Sequence, residues 1–261
     1  YDIERQAVAD ADAVLAVSHM TARTLIDGYG APGAKVHVVH NGVAAADPAD
    51  GFDPTAAGAA GGGAAEGDRR GERTVLFLGR LTAQKGPGRF VQMAAMLAER
   101  DPTVRFLVAG WGDLGPVMVE QVAAMGLGDR FRFAGFLRGG DVARAYRMAS
   151  VYVMPSVREP FGLTALEAVR HGAAVVVSRT AGVAEVLQEG ALHVDHWDVP
   201  DMAAKVRHLL DHPDAAGAMR ERALVEADRL TWDRAAGTCR GVYRTLMERA
   251  AAAPAGADVG G

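Results

Sequence analysis

Two acidic residues spaced eight apart frame the start of a predicted helix in the stretch REPFGLTALE. Pro160 disfavours helical geometry at the residue before it, so Glu159 is expected at the mouth of the helix and Glu167 inside it. The free N–H groups and positive dipole end of a helix start bind anions such as phosphate. Here the candidate donors are the N–H groups of Phe161, Gly162 and Leu163. A Glu near a helix start is also a common cap, so Glu159 alone does not define a site.

Two basic residues five apart form a second candidate group in the stretch GRLTAQKG, directly after the apolar run TVLFL. Arg80 offers a planar fork and Lys85 a compact point charge, a combination that suits a diphosphate. The alternative is a solvated surface pair, which describes most Arg and Lys residues. Only three of the 28 basic residues are Lys, which favours a specific role for Lys85.

Strands and helices are predicted to alternate along most of the chain, because short apolar runs are separated by amphipathic stretches. This pattern predicts an α/β fold with a Rossmann-like parallel sheet flanked by helices. The predicted strands are 13–17, 36–39, 74–78, 104–109, 131–134, 151–154, 174–177 and 192–194. The predicted helices are 20–28, 87–100, 114–125, 140–149, 162–171, 182–188, 200–211, 214–229 and 232–250.

The unusual residues follow the strands, at the sheet edge where open parallel sheets bind ligands. Gly79 begins the loop that carries Arg80, and Gly110 begins the loop after the next strand. This second loop, GWGDLG, fits a dinucleotide-binding motif. That motif requires an acidic residue at the end of the following strand, where this sequence has Gly135 and Phe136. An acidic residue that binds a ribose, if the site has one, must therefore come from elsewhere in the sequence.

Domain boundaries are predicted from a Gly- and Ala-rich stretch without apolar periodicity. The chain begins with Tyr1 rather than Met, so we expect a fragment of a longer protein. The predicted divisions are the end of one domain (1–43), a linker (44–73), a complete domain (74–230), a helix that crosses back to the first domain (231–250) and a disordered tail (251–261).

Composition excludes several classes of protein. The net charge is −4, with interspersed charges and no basic stripe, so a nucleic-acid partner is not expected. Cys239 is the only cysteine, which excludes an internal disulfide and a cysteine-ligated zinc site and fits a reducing cytoplasm. No apolar run reaches the roughly 20 residues that cross a bilayer.

The motifs GRLTAQKG, AGWGD, EPFGLTALEA and HGAAVVVSRTAGVAEVL, in this order, resemble the donor-binding domain of glycosyltransferase family 4. These are retaining enzymes of the GT-B fold. The resemblance runs from about Asp10 to Tyr243, and the segments ADAVLAVSHMTARTLIDGYG and VHVVHNGV resemble the end of the family's N-terminal, acceptor-binding domain. The fold it implies is a GT-B C-terminal domain with a remnant of an N-terminal Rossmann-like domain.

The resemblance also implies roles for single residues. Arg80 and Lys85 would hold the donor diphosphate, assisted by the N–H groups at the helix start. Glu167 would bind the ribose hydroxyls, Glu159 would meet the transferred sugar, and the loop at Leu137 would pass the base. The remaining members of the predicted binding set are Gly79, Gly110, Phe161, Gly162 and Leu163.

The function implied is sugar transfer from a UDP-, GDP- or ADP-sugar to a carbohydrate or lipid-linked acceptor, with retention of anomeric configuration and no metal. The enzyme is expected to be cytoplasmic, with membrane contact only through a missing N-terminal domain, and the fragment is expected to be inactive alone. Two alternatives stay open: a non-catalytic nucleotide-sugar binding module, and another GT-B enzyme such as a sugar-nucleotide epimerase or a phosphorylase.

Overall fold

The structure is a computed structural model that describes residues 2–44 and 73–252. It divides into two compact units, one formed by Tyr1–Gly42 with Leu230–Gly261 and the other by Val43–Arg229. The predicted linker and tail fall almost wholly outside the described residues, and the predicted domain boundaries remain predictions.

The first unit contains a small parallel sheet. Its elements before residue 44 are α1 (Asp2–Asp10), β1 (Val14–Ala16), α2 (His19–Arg23) and β2 (Val36–Val38). The Ser18 hydroxyl accepts a hydrogen bond from the N–H of Thr21 and so caps α2. The predicted helix 20–28 is α2 followed by a π-helical turn, Thr24–Gly28. Helix α1 was not predicted, because none of its side chains is buried and its sequence has no apolar stripe.

The second unit is built on a six-stranded parallel sheet. Its elements are β3 (Arg73–Leu78), α3 (Pro87–Ala98), β4 (Val104–Ala109), α4 (Gly115–Ala124), β5 (Phe131–Gly135), α5 (Gly140–Met148), β6 (Val151–Met154), α6 (Leu163–Arg170), β7 (Ala174–Ser178), β8 (Ala191–Val194), α7 (Val199–Asp211) and α8 (Pro213–Asp228). The predicted strands are confirmed with ends that differ by at most one residue, and the predicted α/β fold class is confirmed.

The strand order is β5-β4-β3-β6-β7-β8, with β3 and β6 paired at the centre. The chain first builds outward from β3 to one edge, then returns to β6 and builds to the other. In such doubly wound sheets, ligands bind where the order reverses, at the carboxyl ends of the two central strands. The topology therefore directs attention to the loops after β3 and β6.

Both faces of the sheet are covered, as expected for parallel strands. One core contains alternate strand residues such as Val75, Phe106 and Val153, packed with Phe90 of α3 and Met202 of α7. The intervening strand residues face the other side of the sheet, and among them Leu76, Tyr152 and Val175 are also buried. This packing holds the central strands, and hence the loops that follow them, in place.

The predicted helix 182–188 is wrong. Only a short 3-10 turn, Gly182–Glu185, forms there. The N–H of Gly182 donates to the carbonyl of Glu159 (2.9 Å) and the N–H of Val183 to that of Phe161 (2.6 Å). These backbone N–H groups therefore bond to the loop after β6 rather than within an α-helix.

The last described element is α9 (Trp232–Ala252), which belongs to the first unit. None of its described side chains is buried, and Trp232, Tyr243 and Met247 are exposed. Among the described helices, none is long and apolar enough to span a membrane.

Candidate functional site

The loops that follow the two central strands are joined by side chains from both. Lys85 ends a 3-10 turn after β3, and its ammonium group forms an ion pair with the Oε2 atom of Glu159, in the loop after β6. Gln84 fixes the same junction, because its carbonyl accepts from the N–H of Val157 (2.8 Å) and its side-chain amide donates to the carbonyl of Arg158 (2.8 Å). The structure thus brings together two residues that are 74 apart in sequence.

Glu159 is held by its backbone as well as by its side chain. Its N–H donates to the carbonyl of Thr180 (3.1 Å), and it forms a parallel bridge with Ala181 in the loop after β7. The residue is only 8% exposed, so its carboxylate needs the compensating charge that Lys85 supplies. The sequence indicated both residues but not that they pair with each other.

The start of α6 is shaped by Gly162, which has a φ of 109° and occupies the N-cap position. A Cβ atom there would press on Met154 and Val183, and a side chain would also strain the backbone. Phe161 is buried before it, and Leu163 is the first helical residue. Within the described part of the chain, no side chain caps this helix. Its start keeps the partial positive charge that favours an anion.

Glu167 lies in the second turn of α6 and is half-buried. Its Oε2 atom accepts a hydrogen bond from the Tyr146 hydroxyl of α5 at 2.9 Å. Burial, with contributions from Tyr152 and the Glu167 carboxylate, raises the pKa of Tyr146 well above its ordinary value. Tyr146 is therefore a neutral donor to an acidic partner. Tyr146 was not predicted as a site residue, because a single Tyr in an amphipathic helix is typical of a buried core position.

The first glycine of the GWGDLG stretch, Gly110, is explained by loop packing. Gly110 has a φ of 137°, and a Cβ atom on it would overlap the carbonyl oxygen of Gly79. The two loops are further joined by the N–H of Leu81, which donates to the carbonyl of Trp111 at 3.0 Å. Gly110 thus lets the loop after β4 approach the backbone of Gly79, in the loop after β3, closely.

Two predicted residues stand apart from the ion pair. Arg80 is exposed on the loop after β3, and its guanidinium has no partner among the described residues. Leu137 is half-buried after β5, the strand at the edge of the sheet. Next to it, the Arg138 guanidinium lies 5.3 Å from the ring centre of the exposed Phe136. No contact joins Arg80 or Leu137 to Glu159 or Glu167 in this arrangement of the described residues.

Taken together, the loops after β3 and β6 present one neutralised ion pair, the exposed Arg80 and an uncapped helix start. A second carboxylate, held by a buried tyrosine, lies further along that helix. Such a set can bind a ligand that carries both negative charge and hydroxyl groups, with the cations on the charge and the carboxylates accepting from hydroxyls.

Comparison with known proteins finds related families and sequences. Residues 64–225 match the family described as Glycosyl transferases group 1, and residues 1–47 match Glycosyltransferase Family 4. The D-inositol 3-phosphate glycosyltransferase of Geodermatophilus obscurus is 33% identical over 96% of this chain. The chain spans 56% of the length of that relative.

Solved structures share the fold. The sucrose-phosphate synthase of Thermosynechococcus elongatus superposes with a TM-score of 0.76 at 25% identity, over 95% of this chain and 61% of that one. HepE of Anabaena, solved in complex with UDP and glucose, gives a TM-score of 0.75 at 19% identity, over 95% and 66%. The fold is that of GT-B glycosyltransferases, and because the group 1 match covers more than half of its residues, the chain belongs to the group 1 glycosyl transferases.

Proposed function

We propose that this chain carries the donor-binding half of a glycosyltransferase, which moves a sugar from a nucleotide-sugar to a carbohydrate or lipid-linked acceptor with retention of anomeric configuration. The observation that carries the proposal is the joining of Lys85 and Glu159 across the switch point of the sheet, beside the start of α6. Fold alone does not give function, so the argument depends on these groups.

The diphosphate is assigned to Arg80, Lys85 and the helix start. When the bond between the anomeric carbon and the diphosphate oxygen breaks, negative charge develops on the leaving group. The cations of Arg80 and Lys85 and the N–H groups at the start of α6 (Phe161, Gly162 and Leu163) would stabilise that charge. The proposal therefore requires no metal ion.

The two carboxylates are assigned to different hydroxyl groups. Glu159 lies beside Lys85, so it would meet the transferred sugar next to the diphosphate. Glu167 lies further along α6 and would accept from the ribose hydroxyls, and the loop at Leu137 would pass the base. This order along the site matches the order of a nucleotide-sugar, in which the diphosphate lies between the sugar and the ribose. The structure of HepE of Anabaena, which was solved with UDP and glucose, supports a nucleotide donor.

The proposal is tested by calorimetry on the full chain with UDP, GDP, ADP and the corresponding glucose nucleotides. We expect the nucleotides of one base to bind with micromolar to millimolar affinity. The chain alone should transfer no sugar. A chain that binds none of these nucleotides lacks the proposed site.

The assignment of the diphosphate is tested separately with Arg80→Ala and Lys85→Ala. Each should weaken the same nucleoside diphosphate, because each removes a charge-assisted contact. Unchanged affinity in both variants would mean that Arg80 and Lys85 are ordinary surface charges. Retention of configuration is read from the anomeric proton of the product, in a protein that joins this chain to an acceptor-binding domain.

A further inference from the structure

The Glu167 side chain is held in place by a set of contacts that centres on Tyr146. The Tyr146 hydroxyl donates to Oε2 of Glu167, and the ring of His171 stacks on the Tyr146 ring with centres 5.6 Å apart. A nitrogen of the same histidine ring lies 2.8 Å from the carbonyl oxygen of Glu167. The backbone and the side chain of Glu167 are therefore both tied to one buried aromatic ring.

Tyr146 itself has little freedom. Its side chain is fully buried, and the Tyr152 ring meets it edge-on with centres 5.9 Å apart. Its ring lies against His171 and Tyr152, so the position of its hydroxyl oxygen is set by packing rather than by Glu167. The raised pKa keeps the hydroxyl protonated, so that it can only donate to the carboxylate.

The other oxygen of the carboxylate is left available. Among the residues that the structure describes, Oε1 of Glu167 has no hydrogen-bond partner, and the side chain is half-buried rather than enclosed. A carboxylate that binds two adjacent hydroxyls loses rotational freedom on binding unless its position is fixed beforehand. One fixed oxygen and one open oxygen meet that requirement.

We propose that Tyr146 is a positioning residue, which holds the Glu167 carboxylate by Oε2 so that Oε1 is presented, already oriented, to the ribose hydroxyls of the donor. This inference rests on the proposed function, since it deepens the role assigned there to Glu167. It makes the preference for ribose over its deoxy forms depend on a buried hydroxyl that does not touch the ligand.

The experiment measures Kd by calorimetry for the full chain with whichever of UDP, GDP and ADP binds most tightly, and with its 2′,3′-dideoxy form. The Kd for the dideoxy form divided by the Kd for the ribose form reports the contribution of the ribose hydroxyls alone. We expect Tyr146→Phe to reduce this ratio about fivefold, because the carboxylate is then oriented only on binding. Affinity for the dideoxy form should not change, which a general loosening of the site would not allow.

Tyr152→Phe is the matched control. It removes a hydroxyl from the same core, where it donates to Thr164 (2.9 Å) and lies 3.3 Å from the carbonyl of Leu78, without contact to Glu167. It should keep the wild-type ratio. An unchanged ratio in Tyr146→Phe, or an equal loss in Tyr152→Phe, overturns the inference while leaving the proposed function intact. A wild-type chain without preference for ribose overturns both this inference and the role of Glu167 in the proposed function.

A second measurement does not depend on removing the hydroxyl. With Tyr146→3-fluorotyrosine, the ¹⁹F resonance should move on addition of the nucleoside diphosphate, since Glu167 takes up a new partner, and should move less with the dideoxy form. Equal movement with both ligands would show that the tyrosine does not sense the ribose, and would overturn the inference even if Tyr146→Phe failed to fold.

Discussion

Glu159 and Glu167 lie on the same ten-residue stretch but in different electrical surroundings. Glu159 is almost fully buried and paired with the Lys85 cation, whereas Glu167 is half-buried and accepts from the neutral Tyr146 hydroxyl. The first pair has no net charge, and the second keeps the full charge of the carboxylate. The molecule thus contains two kinds of acidic group, one that is neutralised by a cation and one that is oriented without being neutralised.

This difference has consequences for binding. An anion that approaches Lys85 must share it with Glu159, so part of the attraction to a diphosphate is offset before binding. A hydroxyl that approaches Glu167 meets a carboxylate that is already oriented. Charge effects should therefore dominate variants at the first pair, and ligand hydroxyls should decide the outcome of variants at the second.

The largest effect is expected from Lys85→Ala. Loss of a charge-assisted contact to the diphosphate should weaken nucleoside diphosphate binding by about 1.5–3 kcal/mol, or roughly ten- to a hundredfold in Kd. Lys205→Ala is the control, because Lys205 is also ion-paired, with Asp201 at 2.7 Å, but belongs to α7. Calorimetric titration of both variants decides the point, and similar losses would mean that net charge rather than the position of Lys85 governs affinity.

A smaller loss is expected from Glu167→Ala, about tenfold in Kd for a nucleoside diphosphate, since a charged acceptor of the ribose hydroxyls disappears. Inorganic pyrophosphate, which has no ribose, should bind the variant and the wild-type chain equally. Competition titrations with both ligands provide the measurement. If pyrophosphate affinity fell as well, Glu167 would act on the diphosphate or on the stability of α6 instead.

The opposite sign is expected from Glu159→Gln. The variant removes the charge that neutralises Lys85, and so should tighten nucleoside diphosphate binding about threefold. The gain should vanish in the double variant with Lys85→Ala, because the two changes act through one ion pair. A Glu159→Gln chain that binds more weakly than wild type would show that Glu159 contacts the nucleotide itself, and the contrast between the two carboxylates would be lost.

The sequence predicted the sheet well because its strands are buried on both faces and read as continuous apolar runs, as at Ala174–Ser178. The helix predicted at 182–188 failed for a non-local reason, since Gly182 and Val183 donate to the loop after β6. No local pattern reports such a contact. Helix α1 was missed because an exposed polar helix has no apolar stripe to detect.

The candidate site was predicted residue by residue but not as a set of contacts. The types and spacing of Lys85, Glu159 and Glu167 were sufficient to select them, because charged residues after apolar strands are conspicuous. Their partners were not predictable, since the pairing of Lys85 with Glu159 depends on the order of the strands. Tyr146 was missed because its proposed role, unlike its burial, depends on a hydroxyl that reaches another helix.

The smallest effect is expected from pH, and it concerns the pair of Tyr146 and Glu167 alone. Burial raises the pKa of Tyr146 above its ordinary value of 10.0, so the hydroxyl stays protonated where an unperturbed tyrosine would be about a quarter ionised, near pH 9.5. Because the pKa of Tyr146 is higher in the folded chain than in the unfolded chain, its contribution to the free energy of unfolding is present below pH 10 and is lost only as the pH rises above it. The ratio of Kd values for ribose and dideoxy nucleotides should thus stay constant from pH 7 to about 9.5. Both ligands carry the same diphosphate, so its titration and that of its cations cancel in the ratio. A decline over this range that is absent in Tyr146→Phe would mean that Tyr146 ionises, and a phenolate could not hold Glu167.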